Sequence, residues 1–541
     1  MSAHPGALDV NTVDETPAAP PTGRLDRFGI PATLAGVSGL LFFWNLGRAS
    51  LQDWDEATYA EISREIGVFH DWIHLHWNYL PWYNKPPLYI WLTALLYPLG
   101  VNAFWARAVS ALSGVGVILI TYAIGRRLYG RLVGIGSAMV LGSCYQFIAA
   151  GRFGTSDMLL TLFLYASLYA YLRTSEKPSW WYAVGIFTGL AIMTKGPAAL
   201  VGPAAIGMTL VIDRRLMPSL RAPQLWGGVA AAVAIALPWH VASYVAYGPA
   251  FFNQYLGVMV IGRVGQPIDA HAGNAVTYVA FLRNQFFPWV YVVPFALLAF
   301  ARDRIRSRDG SWLIVVFPAV VFALYTLVQT KLVWYILPVY PALAILVAAL
   351  LVKALEGDRF ALVTVGLAAV ASIVSVPRSI PADPLVLAVA FVAIGAILVA
   401  RSRALKGSFA PAAVGVVAAF FLVTVGIRAV DLYTSGDLPV VPIAQAARIA
   451  VSGQPVTLVL FIAHPDQVTN FDVSHSLLFY SHRPVRVAVG ASTFEEWVGC
   501  TAQDIVLAEK DLDSVPARYR FSPYRTQPPL VGGGVAPVAG C

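Results

Sequence analysis

The sequence predicts an α-helical membrane protein that crosses the bilayer many times and carries a small α/β domain at its C-terminus. Only 12% of its 541 residues are charged, about half the share found in soluble domains. Its apolar residues form stretches of about 20, the length that a helix needs to cross a bilayer, and its basic residues lie between them. Because backbone groups in lipid must be hydrogen-bonded within their own segment, these stretches are predicted to be helices.

Three parts of the chain are predicted. Residues 1–28 form a disordered cytoplasmic tail, because the first 22 are rich in Pro and Ala and lack the apolar core of a signal peptide. Residues 29–428 form a transmembrane domain, and residues 429–541 form the α/β domain. The thirteen predicted spans are 29–47, 103–125, 132–150, 158–172, 180–194, 197–212, 225–246, 286–300, 311–329, 334–352, 360–376, 385–400 and 410–428.

The basic residues set the predicted orientation. With the N-terminus in the cytoplasm, every even-numbered span returns the chain to a segment with Lys or Arg, as the positive-inside rule requires. These segments hold Arg126, Arg127, Arg131, Arg173, Lys177, Arg214, Arg215, Arg221, Arg302, Arg304, Arg306, Arg308, Lys353, Arg359, Arg401, Arg403 and Lys406. The net charge of +8 is therefore interpreted as an orientation signal, and no nucleic acid partner is expected.

Two long loops, 48–102 and 247–285, are predicted on the outer side. The first begins with an amphipathic pattern that predicts a helix lying along the membrane surface. Its apolar face holds Tyr59, Ile62, Ile66 and Phe69, and its charged face holds Glu61, Arg64 and Glu65. A second helix is predicted to start at Pro86-Pro87, because proline suits a helix start, and it is too short to span the membrane.

Residues 440–525 alternate short β-like runs with helical or turn stretches, which predicts an outer α/β domain. Cys500 and Cys541 could form a disulfide in an oxidising compartment or remain unpaired thiols. Cys144 lies within a predicted span and is expected to pack there.

The acidic residues of the outer side are the first candidates for chemistry. Charged residues beside a bilayer are costly and often functional, and Asp55 could act as general base toward an acceptor hydroxyl. Helix capping is the alternative for Asp55 and Glu56, since Asp53 followed by Glu56 fits a capping box. Asp157 could cap the fourth span, or it could act beside Asp55, with which it could share an acceptor or hold a divalent metal.

Basic residues also collect on this side, where the positive-inside rule disfavours them. Each could reach lipid headgroups alone, but as a set they are typical of a site that binds phosphate. The set comprises Lys85, Arg152, Lys195, Arg263 and Lys331. Trp82, Tyr83, Trp334 and Tyr335 lie beside them, either as interface anchors or as surfaces for a sugar or prenyl chain. The histidines His70, His74 and His76 lack the spacing of a zinc site.

Several segments resemble the bacterial family 39/83 glycosyltransferases, which are related to lipid A aminoarabinose transferases and protein O-mannosyltransferases. These segments are "DWDEATYAEISREI", "YNKPPLYIWLTALLYPLG", "RAVSALSGVGVILITYAIGRRLYG", "RFGTSDMLL", "TKGP", "KLVWYILPVYPALAIL" and "SLLFYSHRPVRV". The resemblance implies a GT-C fold, a transmembrane bundle with a periplasmic active site in the bacterial inner membrane. It also implies transfer of a sugar from a polyprenyl-phosphate donor, with inversion, to an envelope lipid, glycan or protein.

The resemblance also suggests roles for particular residues. Asp55 and Asp157 match the two acidic residues of the family's site, and Lys85, Tyr335 and Arg263 match contacts to the donor phosphate. Lys331 is a further candidate for binding the donor phosphate. Supporting roles in the site are expected for Glu56, Tyr59, Trp82, Tyr83, Asn84, Arg152 and Lys195.

The chain departs from the family at two positions. The lipid A transferases usually read Tyr-Phe-Glu-Lys where this chain reads Trp82-Tyr83-Asn84-Lys85, and they have an arginine where this chain has Thr58. Their glutamate is linked to a metal, so the resemblance does not carry that metal ligand over to Asn84.

A polytopic transporter or a flippase of a lipid-linked sugar is the alternative function. A transporter would predict ionisable residues at mid-membrane and repeated halves, and the sequence has neither pattern. A lipid phosphatase and a structural assembly subunit are further alternatives. A monomer is expected.

Overall fold

The computed structural model describes residues 28–265, 267, 272–274, 276–306, 312–375, 438, 440–450, 457–463, 475–499 and 502–538. Residues 1–27 of the predicted tail, the last two predicted spans, and Cys500 and Cys541 lie outside the described residues.

Helices dominate the chain up to residue 375. They are α1 (Ile30–Phe43), α2 (Asp55–Phe69), α3 (Leu88–Leu96), α4 (Ala103–Tyr129), α5 (Arg131–Gly142), α6 (Tyr145–Gly151), α7 (Ser156–Arg173), α8 (Trp180–Lys195), α9 (Val201–Ile212), α10 (Leu216–Leu220), α11 (Pro223–Tyr247), α12 (Pro249–Phe252), α13 (Arg263–Gly265), α14 (Thr277–Gln285), α15 (Val293–Arg306), α16 (Leu313–Leu327), α17 (Tyr340–Leu355) and α18 (Arg359–Val374). A short hairpin joins α2 to α3 and consists of β1 (His76–Trp77) and β2 (Leu80–Pro81). Helical turns of 3-10 type lie at Tyr97–Leu99, Gly196–Leu200, Trp289–Tyr291 and Val333–Val339, and a π-helix lies at Asn253–Gly262.

Several of these helices are long and apolar enough to cross a membrane. Within the described residues these apolar helical segments are Ala103–Tyr129, Trp180–Ile212 (α8 and α9 taken together), Pro223–Tyr247 and Val333–Leu355. The helices α5 and α6 form a fifth candidate, bent by 74° at the break between them. Other predicted spans, such as α1 and α16, are apolar but shorter, so the predicted number of thirteen is not confirmed.

The segment Trp180–Ile212 contains two helices that run in opposite directions. Gly196 adopts a φ of +58° at the end of α8, which breaks the helix. Gly185 of α8 contacts the backbone of Gly228 in α11, and Gly189 contacts Ala232, so the two helices run parallel. Their backbones are so close at Gly185 that a side chain would not fit there. Because α8 and α11 run in the same direction, α9 between them must run in the opposite direction. The sequence analysis predicted separate spans at 180–194 and 197–212.

Helix α2 forms where it was predicted, but its charged face is buried. Glu61 and Glu65 are fully buried, and Arg64 is 8% exposed. Arg64 pairs with Glu61 at 2.6 Å, and both oxygens of Glu65 accept from the backbone N–H of Tyr79 at 3.1 Å. The hairpin and a C-terminal helix cover this charged face. Helix α3 begins directly after Pro86-Pro87 and is short, as predicted.

The C-terminal part contains a mixed five-stranded sheet with helices on both faces. Its strands are β3 (Leu458–Ile462), β4 (Val485–Val489), β5 (Gln503–Ala508), β6 (Tyr519–Gln527) and β7 (Leu530–Pro537), and its helices are α19 (Val440–Ala450), α20 (His475–Ser481) and α21 (Gly490–Val498). The strand order is β4-β3-β5-β7-β6, with β3 parallel to β4 and β5 and with β7 antiparallel to β5 and β6. Alternate residues serve the two faces: Leu458 packs with α19 and α20, and Val459 packs with α21.

This part contacts the loop 48–102 through hydrogen bonds that involve backbone groups. Asn78, at the tip of the hairpin, donates to the carbonyl of Val485 at 2.8 Å and accepts from its N–H at 2.9 Å. The hydroxyl of Tyr480 accepts from the N–H of Leu51 at 2.8 Å. The loop that carries Asp55 is therefore held by residues more than 400 positions later in the chain.

Candidate active site

Asp55 is the first residue of α2, and Lys85 follows the hairpin that α2 leads into. The Lys85 ammonium donates to both carboxylate oxygens of Asp55 at 3.1 Å. It also donates to the hydroxyl of Tyr59, which lies one helical turn after Asp55. The Lys85 side chain is 19% exposed and that of Asp55 is 43% exposed. The two groups that were predicted from separate motifs thus form one ion pair.

The charges around Asp55 favour its ionised form. Burial alone raises the pKa of this carboxyl, but Lys85, and to a smaller degree Lys195 and Arg263, outweigh burial and hold the pKa below its ordinary value. Asp55 is therefore a carboxylate at neutral pH, as a general base must be before it accepts a proton.

Asp157 and Lys195 form a second ion pair. Asp157 lies in the first turn of α7, and Lys195 is the last residue of α8. Both side chains are largely buried, at 8% and 15% exposure. The Lys195 ammonium lies 5.5 Å from the centre of the Tyr335 ring, which links this pair to the residues predicted to contact phosphate.

The cations of these pairs converge on one cavity of about 200 Å³. Lys85, Lys195, Arg263 and Tyr335 line it, together with Asn84. The Arg263 guanidinium donates to the Tyr335 hydroxyl at 2.7 Å. The remaining lining is mostly apolar and includes Tyr255, Met259, Val260, Leu324, Tyr325 and Val328. The cavity thus combines several cationic donors with an apolar wall, which suits the phosphate of a lipid. A larger cavity of about 690 Å³ between α8, α9 and α11 is lined almost wholly by apolar side chains.

Glu56 connects the elements that carry the two acidic residues. Its buried carboxylate accepts from Nε and Nη2 of Arg107 at 2.8 and 2.9 Å. It also accepts from the backbone N–H of Gln52 at 2.8 Å and of Gly154 at 2.7 Å. Gly154 lies three residues before Asp157, so Glu56 ties the start of α2 to α4 and to the loop before α7. The predicted capping box of Asp53 and Glu56 is not formed: Trp54 is the N-cap of α2 and no side chain caps it, because Asp53 accepts from Ser476 and Glu56 from Gln52 instead.

Arg107 was missed by the sequence analysis. A charged arginine inside an apolar helix is energetically unfavourable unless it is paired. Its presence in the predicted span 103–125 was therefore a signal that it has a buried partner. Arg107 is 4% exposed and also donates to the backbone carbonyls of Leu46, Ala49 and Ser50.

Two predicted cations serve helix ends instead of the cavity. The Lys331 ammonium donates to the carbonyls of Tyr325, Thr326 and Val328 at the end of α16, which uses all three of its N–H bonds. These terminal carbonyls hold the Lys331 ammonium, which is not among the residues that line the cavity, and its role at the donor phosphate stays a prediction. Arg152 likewise donates to the carbonyls of Leu41, Phe42 and Trp44 at the end of α1, a supporting role.

The predicted aromatic residues pack around the site. Trp82 meets Tyr59 edge-on at 6.4 Å between ring centres, and Tyr83 lies 4.6 Å from Tyr247. Trp82 therefore supports the tyrosine that contacts Lys85, and Tyr83 packs against the end of α11.

Asp55 and Asp157, the carboxylates predicted as possible metal ligands, are both engaged in ion pairs. Among the described residues, no group of three or more His, Cys, Asp or Glu side chains is arranged to hold a metal ion. Asp55 and Asp157 each face a lysine ammonium, which a cation would have to displace. The nearby Asn84 supplies a neutral amide where a carboxylate would strengthen such a site.

Comparison with known proteins establishes the fold. A family described as "Dolichyl-phosphate-mannose-protein mannosyltransferase" matches residues 84–241. The solved structure of ArnT from Cupriavidus metallidurans bound to undecaprenyl phosphate superposes with a TM-score of 0.72, covering 94% of this chain and 98% of that one at 22% identity. The protein is thus a multi-pass membrane protein with the GT-C fold.

Curated relatives agree with the motifs. The chain is 28% identical over 333 residues to the undecaprenyl phosphate-alpha-4-amino-4-deoxy-L-arabinose arabinosyl transferase of Shewanella sediminis, covering 59% of each protein. It is 30% identical over 305 residues to the protein of that name from Erwinia tasmaniensis, covering 54% of each. The chain therefore spans between half and three fifths of the length of these relatives. The resemblance that the motifs predicted is confirmed.

Proposed function

We propose that the protein is an integral-membrane glycosyltransferase that moves a sugar from a polyprenyl-phosphate donor to a cell-envelope acceptor. The observation that carries this proposal is the convergence of Lys85, Lys195, Arg263 and Tyr335 on one cavity beside the Asp55 carboxylate. The relatives are named for transfer of an amino sugar from undecaprenyl phosphate, and the superposed ArnT structure holds undecaprenyl phosphate. The active site and the C-terminal sheet would lie on the periplasmic side of the inner membrane, with the N-terminus in the cytoplasm.

The cationic cavity would hold the donor phosphate. When the bond between the anomeric carbon and the phosphate oxygen breaks, negative charge grows on the departing polyprenyl phosphate. Lys85 and Arg263 are fixed donors for that charge, and Tyr335 holds the Arg263 guanidinium in place. The apolar wall would contact the first prenyl units. Fixed donors at the leaving group lower the barrier because they need no reorganisation as the charge develops.

Asp55 would act on the acceptor. Its carboxylate accepts the proton of an acceptor hydroxyl while that oxygen forms the new bond to the anomeric carbon, and the polyprenyl phosphate leaves from the opposite face. A single displacement of this kind inverts the anomeric configuration and requires one base. Lys85 contacts Asp55 directly, so it can bridge the base and the leaving phosphate. Asp157 would hold the Lys195 ammonium in place beside the cavity.

The test is sugar transfer by the purified full-length protein. Polyprenyl phosphates that carry glucose, mannose or 4-amino-4-deoxy-L-arabinose serve as donors, and envelope extract from a strain lacking the gene serves as acceptor. We expect Asp55→Asn and Lys85→Ala to lose at least about 100-fold in rate, the scale of a general base or of a charge-stabilising donor.

Exposed residues provide the matched controls, Asp513→Asn and Lys177→Ala. Both should retain wild-type rates. Full activity of a folded Asp55→Asn protein would refute the assigned role, and uptake of the donor lipid without transfer would favour a flippase.

A further inference from the structure

Trp54, the residue directly before Asp55, has an unusual backbone conformation. Its φ of 81° and ψ of −142° lie where a bulky side chain is rarely found, so the backbone is strained there. The Trp54 side chain is nevertheless 43% exposed. A strained and exposed aromatic residue beside the proposed base therefore needs a functional explanation.

The C-terminal part stabilises this conformation. The carboxylate of Asp53 accepts a hydrogen bond from the backbone N–H of Ser476 at 2.6 Å, at the start of α20. The hydroxyl of Ser476 donates to the carbonyl of Leu51 at 3.1 Å. The residues that precede Trp54 are thus held by α20, and the position of its indole depends on the C-terminal part.

Three rings form an aromatic stack at this point: Trp54, His475 and Trp77. The Trp54 and His475 rings are stacked and nearly parallel, with 13° between their planes and 6.4 Å between their centres. Trp77 also stacks on His475, at 29° and 5.2 Å. The face of an aromatic ring carries partial negative charge and attracts the weakly positive C–H groups of an apolar partner. The C–H face of a sugar ring is such a partner.

The charges near the stack favour a neutral ligand. Burial lowers the pKa of His475, and the carboxylates of Asp53 and Asp55 only partly oppose that shift, so the imidazole is neutral at neutral pH. The charged groups that act on this ring are therefore two carboxylates, which would repel a phosphate. The cations Lys85 and Arg263 line the donor cavity instead.

We propose that the aromatic stack is the acceptor subsite and that it binds a neutral pyranose. Asp55 then removes the proton from one hydroxyl group of this sugar. The inference rests on the proposed function and names its acceptor class. A hydroxyl acceptor needs a base, whereas a phosphate acceptor is already ionised and needs none. The ionised Asp55 beside an uncharged platform matches the hydroxyl case.

Binding is measured first, without catalysis. Saturation-transfer NMR on the full-length protein uses methyl β-D-glucopyranoside as the probe and glucose 6-phosphate as its charged counterpart. We expect the methyl glycoside signal to be lost in Trp54→Ala and largely kept in Trp54→Phe. Trp72→Ala is the matched control, because Trp72 lies in the same loop and is 41% exposed. An unchanged signal in Trp54→Ala, or a stronger signal from the phosphate, would overturn the proposal.

Transfer kinetics separate this inference from the proposed function. With methyl β-D-glucopyranoside or a glucosyl diacylglycerol in nanodiscs as acceptor, Trp54→Ala should raise the acceptor KM about tenfold, equivalent to about 1.4 kcal/mol, and leave the donor KM unchanged. The acceptor with the lower KM tells whether a free or a lipid-borne sugar is preferred. Transfer with an unchanged acceptor KM in Trp54→Ala refutes the subsite and leaves the function standing. Binding through Trp54 without any transfer supports the subsite and refutes the function.

Discussion

The ion pair between Glu56 and Arg107 gives the sharpest stability prediction. Glu56 is fully buried and accepts four hydrogen bonds, two from Arg107 and two from backbone N–H groups. In Glu56→Gln the amide is neutral and one of its two ends can no longer accept. The Arg107 guanidinium then stays buried without its counter-charge, and at least one N–H faces another donor.

Removing one partner of a buried pair in this way costs about 3 to 5 kcal/mol. We expect Glu56→Gln to lower thermal stability in detergent by that order, and to lower transfer activity because the loop before Asp157 loses its anchor at Gly154.

A surface pair provides the control. Arg518 and Glu495 lie 3.1 Å apart with side chains 59% and 37% exposed. Such pairs contribute about 0 to 1 kcal/mol, so Glu495→Gln should be close to wild type. Equal losses in Glu56→Gln and Glu495→Gln would refute this reasoning.

Three further predictions follow from single contacts. Tyr335→Phe removes the hydroxyl that accepts the Arg263 hydrogen bond, so the KM for the donor lipid should rise about tenfold or more while the KM for the acceptor substrate is unchanged. An unchanged KM for the donor lipid would show that Tyr335 has no role in binding the phosphate. Lys331→Met leaves the terminal carbonyls of α16 without a donor, so the free energy of unfolding should fall by about 1 to 3 kcal/mol without a change in the KM for the donor lipid. A large rise in that KM would instead support the predicted role of Lys331 at the phosphate. Burial and neighbouring Glu61 raise the pKa of Glu65 to about 8 from 4.5, so its stabilising contribution is present below pH 4.5 and is lost as pH rises through about 8. Melting curves between pH 5 and 9 should show this loss in the wild type and a flatter profile in Glu65→Gln, and parallel profiles would contradict it.

Much of the candidate site could be predicted because its signals are local. Asp55, Lys85, Asp157 and Lys195 are charged residues at the ends of apolar segments, all on the side where basic residues are unusual. That rule placed them on one face, and the structure brings them together as two ion pairs.

The partners of each charge could not be predicted. Arg263 and Lys331 give the same kind of signal in the sequence, yet one lines the cavity and the other binds the end of α16. The difference depends on where α16 ends in space, which the charge pattern does not encode.

The buried face of α2 shows a second limit. Its helical periodicity is amphipathic, which predicted a helix along the membrane surface with Glu61 and Glu65 on its charged face. Those side chains are instead covered by the hairpin and by α20, which lies more than 400 residues further along the chain. Periodicity reports only that two faces differ, and it cannot report a distant segment that covers the polar one.

Binding and turnover measured on the same purified preparations test the central claim most directly. Native mass spectrometry gives the affinity for undecaprenyl phosphate, and the transfer assay gives the rate, for the wild type, Asp55→Asn and Lys85→Ala. The cavity and its cations predict that Asp55→Asn binds the lipid phosphate at least as well as the wild type but transfers no sugar, and that Lys85→Ala loses both. Transfer at the wild-type rate by Asp55→Asn, or undiminished lipid binding by Lys85→Ala, would contradict the assignment of base and phosphate site.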